Sequence, residues 1–504
     1  MADLYSDYEP FRKYLTQFDR LESLIHIWRY SLVSIDKLIL PAGYIANVPP
    51  GQDPNMVPYP WELDLLSREI VLNSFKGGTR RLNNWNDLAG AINHIRRLDG
   101  EAFLLGNNGN PDVMIELHRS AHRQFPFADL GIFPIMRATK VLGDAVIDQI
   151  AQRELGLSAR QFFRLGIAVT GHFNSKWDFS TKQDYSVIGI SADSLKAFID
   201  RLTIPIADLK KQLRALQRYD THWAYTWNPL VSKPLIAIDP YYPERVICPI
   251  PHYLLKRTFG GLFHDLVNVV DFQNPYGNSF QAYIGELLQR TCLPPRFQIL
   301  AVKPYLVGGS PSHGVDWILS DNTGHAFIEA KTKRLTVKAR AAIDAAALDK
   351  DIDILAQAVA QNYRNIMDAL DGKTEWVPDN KPIFPLILTL EDWFIFSPTI
   401  KSMLDVKILS ALQAEGIDPS VLNRMPWQLG SAHEFEIASQ VIAQLGVSAV
   451  LSAKSTEQQG WSLIPALTER FPDALRAVNY RLFEEDFLAL VPEARHGSRP
   501  EQET

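Results

Sequence analysis

The chain has 504 residues, a formal net charge of −6, 46% hydrophobic residues and 21% charged residues. These values are typical of a globular protein with a sizeable core, and they exclude a disordered or fibrous chain. Two cysteines, Cys248 and Cys292, exclude a disulfide scaffold and a cysteine-rich zinc module. Because the net charge is negative, binding of nucleic acid would require a local basic patch.

Export and membrane signals are not expected in this sequence. The first residues, MADLYSDYEPFRKYL, are polar and acidic and lack the apolar centre of a signal peptide. No run approaches the ~18 uncharged apolar residues that a transmembrane helix needs. We therefore expect a cytoplasmic protein whose two thiols stay reduced.

Residues 1–225 are predicted to be mainly helical. Apolar residues recur at the helical period in LTQFDRLESLIHIWRYSLVSIDKLIL, and the Pro- and Gly-rich stretch PAGYIANVPPGQDPNMVPYP then predicts a long loop. The same period predicts further helices in WNDLAGAINHIRRLDG, DVMIELHRSAHRQF, MRATKVLGDAVIDQIAQREL and SARQFFRLGIAVTGHF.

Residues 226–273 are predicted to form a connecting hairpin and helix. PLIAID and RVICPIP flank the turn PYYPE, a pattern typical of two paired strands, and YLLKRTFGGLFHDLVNVV predicts the helix. The sequence Asn274-Pro275-Tyr276-Gly277 is expected to break that helix. The next helix, NSFQAYIGELLQRTC, would then begin at its Asn or Ser cap.

Strands and helices alternate in residues 274–397. RFQILAVKPYLV, GVDWIL and AFIEAK predict three strands, a helix follows from about Asp344 to Leu370, and PIFPLILTL predicts a buried strand that DWFIF would extend. Residues 398–490 are predicted to be helical, and residues 491–504 to form a disordered tail.

A tight hairpin is predicted between GVDWIL and AFIEAK. The turn signal SDNTGH, centred on Asn322 and Thr323, places Asp316 opposite Glu329. Two like charges in directly opposed positions destabilise a sheet, so a bound divalent cation is the simplest compensation. Carboxylate oxygens suit Mg²⁺ or Mn²⁺.

The strand period also places Glu329 and Lys331 on one face, opposite a core face formed by Ala326, Ile328 and Ala330. The two acids and the lysine would therefore converge. A slip of one residue in the register would move Asp316 to the other face. The alternative is a solvent-facing hairpin with an ordinary Glu–Lys contact.

These residues resemble the motif of the PD-(D/E)XK nuclease superfamily, in which an Asp precedes Glu-X-Lys on paired strands. Here Asp316, Glu329, Ala330 and Lys331 match it, and Val315 stands where many members have proline. The family core has the order α-β-β-β-α-β. NSFQAYIGELLQR, ILAQAVAQNYRNI and PIFPLILTL resemble its first helix, second helix and last strand, so the resemblance covers about residues 275–397.

The resemblance implies a mixed α+β protein with a restriction-endonuclease-like α/β core at residues 274–397, between helical N-terminal and C-terminal regions. It implies a metal-dependent endonuclease that hydrolyses phosphodiester bonds, with DNA favoured over RNA. Mg²⁺ or Mn²⁺ would be held by Asp316, Glu329 and the Ala330 carbonyl, and Lys331 would orient water or stabilise developing charge. Glu286 stands where many members carry an additional metal-facing acid.

Residues beyond the motif are candidates for contacts with nucleic acid. Gln361 and Tyr363 stand where the family often places substrate-contacting residues, although helix packing would also explain them. Four basic residues follow Lys331 without an intervening acid and would contact phosphates, or else form a solvated loop and helix start: Lys333, Arg334, Lys338 and Arg340.

Two further patterns invite interpretation. Glu116, His118 and His122 could share a helix face and bind zinc, but Arg119 and Arg123 beside them favour a basic helix face instead. The aromatic stretch THWAYTW, residues 221–227, is compatible with base stacking and, more simply, with core packing.

The family resemblance also suggests a role. A bacterial nuclease with large flanking regions is often an effector of antiviral defence or restriction, and it can act as a homo-oligomer or under a regulatory partner protein. Two alternatives stay open. One is a nucleic-acid-binding or regulatory scaffold that has the fold but does not cut, and the other is an interaction protein whose hairpin acids are structural.

Overall fold

The computed structural model describes residues 4–35, 38–45, 58–105, 113–124, 131–341, 344–395, 397–454, 458 and 462–493. The protein is mixed α+β, as expected. The predicted tail from residue 494 onward and most of the predicted loop at 41–60 lie outside these ranges.

Helices dominate the first half of the chain, which confirms the prediction for that region. They are α1 (Tyr5–Leu15), α2 (Arg20–Val33), α3 (Ala42–Ile45), α4 (Pro60–Asn73), α5 (Trp85–Leu105), α6 (Val113–Gln124), α7 (Ile132–Leu142), α8 (Ala145–Leu155), α9 (Ala159–Phe173), α10 (Ala192–Leu202) and α11 (Ile206–Leu216). The stretch predicted as one helix before residue 155 is two helices. Gly143 ends α7, and the Asp144 side chain caps α8 by accepting from the Val146 N–H.

A small sheet ties the predicted connecting hairpin to the helical region. Its strands are β1 (Asp178–Ser180), β2 (Thr203–Pro205), β3 (Leu235–Ala237) and β4 (Arg245–Ile247), in the order β1-β4-β3-β2. The hairpin itself is confirmed, because Ile236 lies opposite Ile247 in antiparallel pairing. β1 and β2 were not predicted.

The middle of the chain contains α12 (Pro251–Phe259), α13 (Leu262–Leu266) and α14 (Gln273–Thr291). Gly260 and Gly261 divide the predicted single helix into α12 and α13. The predicted break at residues 274–277 is wrong, because α14 continues through them. Pro275 lies in the first turn of α14, where a missing N–H leaves no helical hydrogen bond unmade.

The central sheet contains β5 (Gln298–Leu300), β8 (Trp317–Ser320), β9 (His325–Lys331), β10 (Ile383–Thr389) and β11 (Gln428–Ser431), and the small hairpin β6 (Tyr305–Val307) and β7 (Ser310–Ser312) lies between β5 and β8. The strand order is β11-β10-β9-β8-β5. β9, β10 and β11 run parallel, whereas β5, β8 and β9 pair antiparallel. The segment DWFIF does not extend β10, and β11 was not predicted.

The remaining helices surround this sheet. They are α15 (Val337–Arg340), α16 (Ala345–Leu370), α17 (Pro398–Ala414), α18 (Val421–Arg424), α19 (Ala432–Leu445), α20 (Val447–Leu451), α21 (Leu463–Arg470), α22 (Pro472–Arg476) and α23 (Glu484–Leu490). α16 begins where it was predicted, with Asp344 as its N-cap. Along the described ranges, no helix combines the length and the apolar character that crossing a membrane requires.

Helices cover both faces of the central sheet. Ala326 and Ile328 of β9 share a core cluster with Phe280 of α14 and Phe435 of α19, as the predicted core face requires. Phe327, on the other face, packs against α16 and is also fully buried. The hairpin acids therefore lie in a largely enclosed setting rather than on an open sheet face.

Candidate active site

The β8–β9 hairpin has the predicted register. Leu319 lies opposite Ala326 and Trp317 opposite Ile328. Continuing this pairing by one position sets Asp316, the residue before β8, against Glu329. The turn is fixed by the Asp321 carboxylate, which accepts hydrogen bonds from the backbone N–H groups of Thr323 at 2.7 Å and of Gly324 at 3.0 Å.

Asp316 is half-buried and held by two donors. The Ala330 N–H donates to its Oδ2 at 2.7 Å, and the Gln281 side-chain amide of α14 donates to its Oδ1. Burial, followed by the nearby Glu329 charge, raises the pKa of Asp316 to about 7. Near neutral pH this carboxyl group therefore exchanges readily between its protonated and ionised forms.

Glu329 is the most enclosed group of the site, with 3% of its surface exposed. Its Oε1 accepts a hydrogen bond from Lys331 Nζ at 2.6 Å. Within the described part of the chain, its buried Oε2 has no hydrogen-bond partner. Burial raises the pKa of Glu329, although the charges of Lys331 and Arg364 oppose that shift.

Lys331 ends β9 and reaches solvent, with 30% of its side chain exposed. Besides Glu329, its Nζ donates to Gln361 Oε1 at 3.0 Å. Gln361 lies on α16, so the structure brings this predicted residue to the site, although its observed partner is Lys331. Lys331 is thus held beside Glu329 at the solvent-accessible side of the site.

Glu286 is not brought to Asp316. It forms ion pairs with Lys140 of α7 at 2.8 Å and with Arg290 at 2.7 Å, and both cations also pair with Asp486. Gln281 is the α14 residue that contacts Asp316. A residue five positions further along a helix points about 140° away, which explains why Glu286 faces α7 and α23 instead.

Tyr363 also departs from its predicted role in substrate contact. Its side chain is buried, with 0% exposure, and its hydroxyl donates to the Met425 carbonyl. Tyr363 lies two positions after Gln361 on α16. Its side chain therefore points about 160° away from that of Gln361 and from the site. The packing alternative is therefore the correct one for Tyr363.

The predicted basic patch is largely paired with acids from distant parts of the chain. Lys333 forms an ion pair with Asp351 at 2.8 Å. Arg334 contacts Glu391 at 2.9 Å, and Arg340 pairs with the same carboxylate. The sequence showed no acid within this segment because these partners follow it by up to about sixty residues.

Lys338 differs from the other three basic residues. Its side chain is 70% exposed, and its nearest carboxylate, Asp344, lies 3.8 Å away. A pair this open to water contributes little to stability. Lys338 is thus a solvated side chain at the start of a short helix, one of the two readings that the sequence left open.

The histidines of α6 are engaged in packing. His118 Nε2 donates to the Ala339 carbonyl at 3.3 Å, and His122 Nε2 donates to the Trp393 carbonyl at 3.3 Å. Burial lowers the pKa of both rings. The expected basic helix face is internal, because Arg119 pairs with Glu116 and Arg123 pairs with Asp99.

Two residues that the sequence reasoning missed complete the site. Gln281 is positioned by Trp317, whose indole N–H donates to the Gln281 carbonyl at 2.9 Å. Gly285 allows this approach, since a β-carbon there would overlap the Trp317 ring.

Arg364 is the second missed residue, and its positive charge lowers the pKa of Glu329. Arg364 lies one turn beyond Gln361 on α16, and that spacing is the signal that could have identified it.

The donor set fits a hard divalent cation. Asp316 and Glu329 are close enough that the Glu329 charge raises the pKa of Asp316, burial raises the pKa of both, and one buried oxygen, Glu329 Oε2, is unsatisfied within the described residues. Among the described residues, no three His, Cys, Asp or Glu side chains group closely enough to hold a metal. Such a cation would therefore depend on these two acids together with backbone or water oxygens.

Comparisons with known proteins do not identify the chemistry of this site, which must be inferred from its geometry. No protein-family model, curated protein or solved structure matches the chain. The site offers two opposed carboxylates, a partly exposed lysine and two glutamine side chains that hold them.

Proposed function

We propose that the chain is a metal-dependent nuclease that hydrolyses phosphodiester bonds of nucleic acid, with DNA as the favoured substrate. The observation that carries the proposal is the opposition of Asp316 and Glu329 across the β8–β9 hairpin, with Lys331 at the opening. Placing two acids together at this depth is costly unless a cation compensates them.

The order of elements supports the same proposal. α14, β5, β8, β9, α16 and β10 follow one another as helix, three strands, helix and strand. This order resembles that expected of a restriction-endonuclease-like core, with the β6–β7 hairpin and the short helix α15 inserted and β11 added at the edge of the sheet. The motif residues lie on the second and third of these strands and next to the second helix.

The residues that would hold Mg²⁺ or Mn²⁺ are Asp316, Glu329 and the Ala330 carbonyl. Such a cation supplies Lewis acidity and lowers the pKa of bound water. Gln281 orients the Asp316 carboxylate, and the Ala330 N–H fixes its second oxygen. Because all these groups are held by regular elements, the site is preorganised.

Lys331 supplies the fixed positive charge. Its exposed Nζ can contact a phosphate oxygen and stabilise negative charge that develops during cleavage. Gln361 holds the lysine from α16 and limits its rotation. The large helical regions on both sides of this core would select the substrate or control cutting, which is consistent with a role in defence or restriction and with a regulatory partner or self-association.

A cleavage assay tests the proposal. Purified protein is incubated with plasmid, linear duplex, single-stranded DNA and RNA in Mg²⁺, Mn²⁺ or EDTA. Lys331→Ala is compared with Glu286→Gln, a matched change in a charged group outside the site. We expect metal-dependent cutting that Lys331→Ala abolishes and Glu286→Gln preserves. Cutting that persists in EDTA, or in the folded Lys331→Ala protein, would reject this site as the catalytic centre.

A further inference from the structure

A large cavity lies next to the end of β9, where Thr332 lines it and follows Lys331 in sequence, although Asp316, Glu329 and Lys331 are not part of its lining. Its volume is about 2250 Å³, whereas pockets for small ligands usually measure about 300–1,000 Å³. The cavity lies at the carboxyl ends of three parallel strands: Thr332–Leu335 follow β9, Leu390–Asp392 follow β10, and His433 follows β11. Helices α6, α7 and α12 form the opposite wall. Ligands of α/β sheets commonly bind at this end of the strands.

The residues that line the cavity include more cations than acids, although four of the cations pair with acids behind the wall: Arg119 with Glu116, Arg123 with Asp99, Arg137 with Glu436 and Lys333 with Asp351. The described lining residues include ten Lys or Arg and six Asp or Glu, whereas the whole chain has a net charge of −6. The basic residues are Arg119, Arg123, Arg137, Arg201, Lys233, Lys256, Arg257, Lys333, Arg334 and Arg340. A concave basic wall concentrates anions.

Two carboxylates in this wall each serve two arginines. Asp265 pairs with Arg201 at 3.2 Å and with Arg257 at 2.7 Å. Glu391 pairs with Arg334 at 2.9 Å and with Arg340. Each group therefore contains two positive charges and one negative charge.

Two of these arginines have a buried donor without an acceptor among the described residues. Arg257 is 8% exposed, and across the described residues its buried Nη1 has no acceptor. The buried Nε of Arg334 likewise lacks an acceptor among the described residues. A buried donor without a partner is costly, so a water molecule or a ligand oxygen that reaches these groups would be favoured. Phosphate oxygens match the guanidinium geometry well.

Aromatic side chains line the cavity between the basic groups. They include Tyr225 and Trp227 from the stretch THWAYTW, together with Phe259, Phe263 and Phe394. A positively charged channel with interspersed aromatic rings is the arrangement by which proteins bind unpaired nucleic-acid strands, with phosphates on the cations and bases stacked on the rings.

We propose that this cavity binds a single, unpaired strand of nucleic acid and leads it to the carboxylate site. The inference rests on the proposed function and specifies its substrate as single-stranded. The position of the cavity supports the inference, because Thr332 in its wall directly follows Lys331 of the carboxylate site in sequence. A volume of about 2250 Å³ suits a few stacked nucleotides rather than a full turn of duplex.

Binding in EDTA tests the inference separately from cutting. The probe is a short fluorescein-labelled oligothymidylate, compared with a blunt duplex of equal length and with thymidine monophosphate as competitor. Lys233→Ala removes an exposed lysine of the cavity wall, and Lys211→Ala removes an exposed lysine of α11 outside it. Neither change disturbs the core. Arg257→Ala, checked for folding by thermal melting, removes a buried cation.

We expect Lys233→Ala and Arg257→Ala to weaken strand binding by about 10-fold or more, and Lys211→Ala to change it by less than about 2-fold. Equal binding of duplex and strand, equal effects of the two lysine changes, or displacement by the mononucleotide as efficient as by the strand would overturn the inference. Lys331-dependent cutting restricted to duplex would also overturn it while leaving the proposed function intact. Cavity-dependent strand binding without cutting would retain the binding site and reject the nuclease.

Discussion

Two groups of charged residues near α14 differ in their charge balance. The carboxylate site places Asp316 and Glu329 beside one directly bonded cation, Lys331, and leaves a buried carboxylate oxygen without a partner among the described residues. The other group, the Glu286 cluster, contains two acids and two cations: Glu286, Asp486, Lys140 and Arg290. The two acids and two cations of the Glu286 cluster balance in charge and link α7, α14 and α23, although Asp486 Oδ2, like Glu329 Oε2, has no hydrogen-bond partner among the described residues. The two clusters therefore differ in charge balance rather than in unsatisfied oxygens, and an unbalanced, buried carboxylate pair is a candidate for a binding or catalytic site.

The same distinction applies to the cavity. Its arginines outnumber the carboxylates that they share, so its imbalance is positive, whereas the imbalance of the carboxylate site is negative. One site suits a cation and the neighbouring site suits a polyanion. A substrate with phosphates and a catalytic metal would compensate both.

Removing the charged groups of each cluster should produce the largest contrast. Lys331→Ala and Asp316→Asn should each lower the rate of metal-dependent cutting by about 10³-fold, because charge stabilisation or metal binding is lost. Glu286→Gln should lower it by less than about 3-fold. Initial rates on a labelled strand measure the difference. A similar loss in all three variants would show that the two clusters act as one unit.

Metal binding should depend on pH because Asp316 must be ionised to bind a cation. Since burial and Glu329 raise its pKa to about 7, Mg²⁺ should stabilise the protein little at pH 5.5 and strongly at pH 8. Mg²⁺ at about 100 times its Kd would add about 2.7 kcal/mol to the free energy of unfolding. Thermal melting with and without Mg²⁺ measures this effect, and Asp316→Asn should remove it. Stabilisation that is independent of pH would place the metal elsewhere.

The metal-free protein should show the opposite trend. The folded pKa of Asp316 lies above its unfolded value of 3.8, so the folded state binds more protons between those two pH values. Its contribution to stability is present below pH 4 and is lost as the pH rises toward 7. The midpoint of urea unfolding in EDTA should fall over this range, and it should fall less in Asp316→Asn.

A smaller effect is expected from the glycine that positions Gln281. Gly285→Ala should destabilise the protein by about 1–3 kcal/mol, because its β-carbon would overlap the Trp317 ring and displace α14 from the hairpin. Gly277→Ala is the matched control, because a β-carbon there meets nothing and alanine favours the same helix. Equal stability of the two variants would show that the approach of α14 to Trp317 does not constrain the site.

The features that were predicted correctly from the sequence depend on patterns among residues that are close together along the chain. The turn, the period of two and the spacing of Asp316, Glu329 and Lys331 are all contained in one hairpin, so its register followed from about twenty residues. The approximate start of α16 and the β3–β4 hairpin were predicted for the same reason. Each of these features depends on residues that are close in sequence.

Tertiary partners explain what the sequence could not predict. Glu391 pairs with Arg334 and Arg340 from about fifty residues away, and α14 rotates Gln281 rather than Glu286 toward Asp316. A helix extended by the tolerated Pro275 was read as a break, and the four-residue strand β11 was read as part of a helical region. These features depend on packing between distant segments, which charge counts along the chain do not contain.

The smallest effect is expected on α16, where Gln361 and Tyr363 have opposite surroundings. Tyr363→Phe removes one buried hydrogen bond to the Met425 carbonyl and should cost about 1 kcal/mol of stability, with unchanged strand binding and unchanged cutting. Gln361→Ala should leave stability nearly unchanged and slow cutting by about 10-fold, because Lys331 loses the partner that holds it. Urea unfolding and initial rates on the same preparations separate the two effects. If Tyr363→Phe slowed cutting as much as Gln361→Ala, the packing of α16 rather than the contact with Lys331 would control the site.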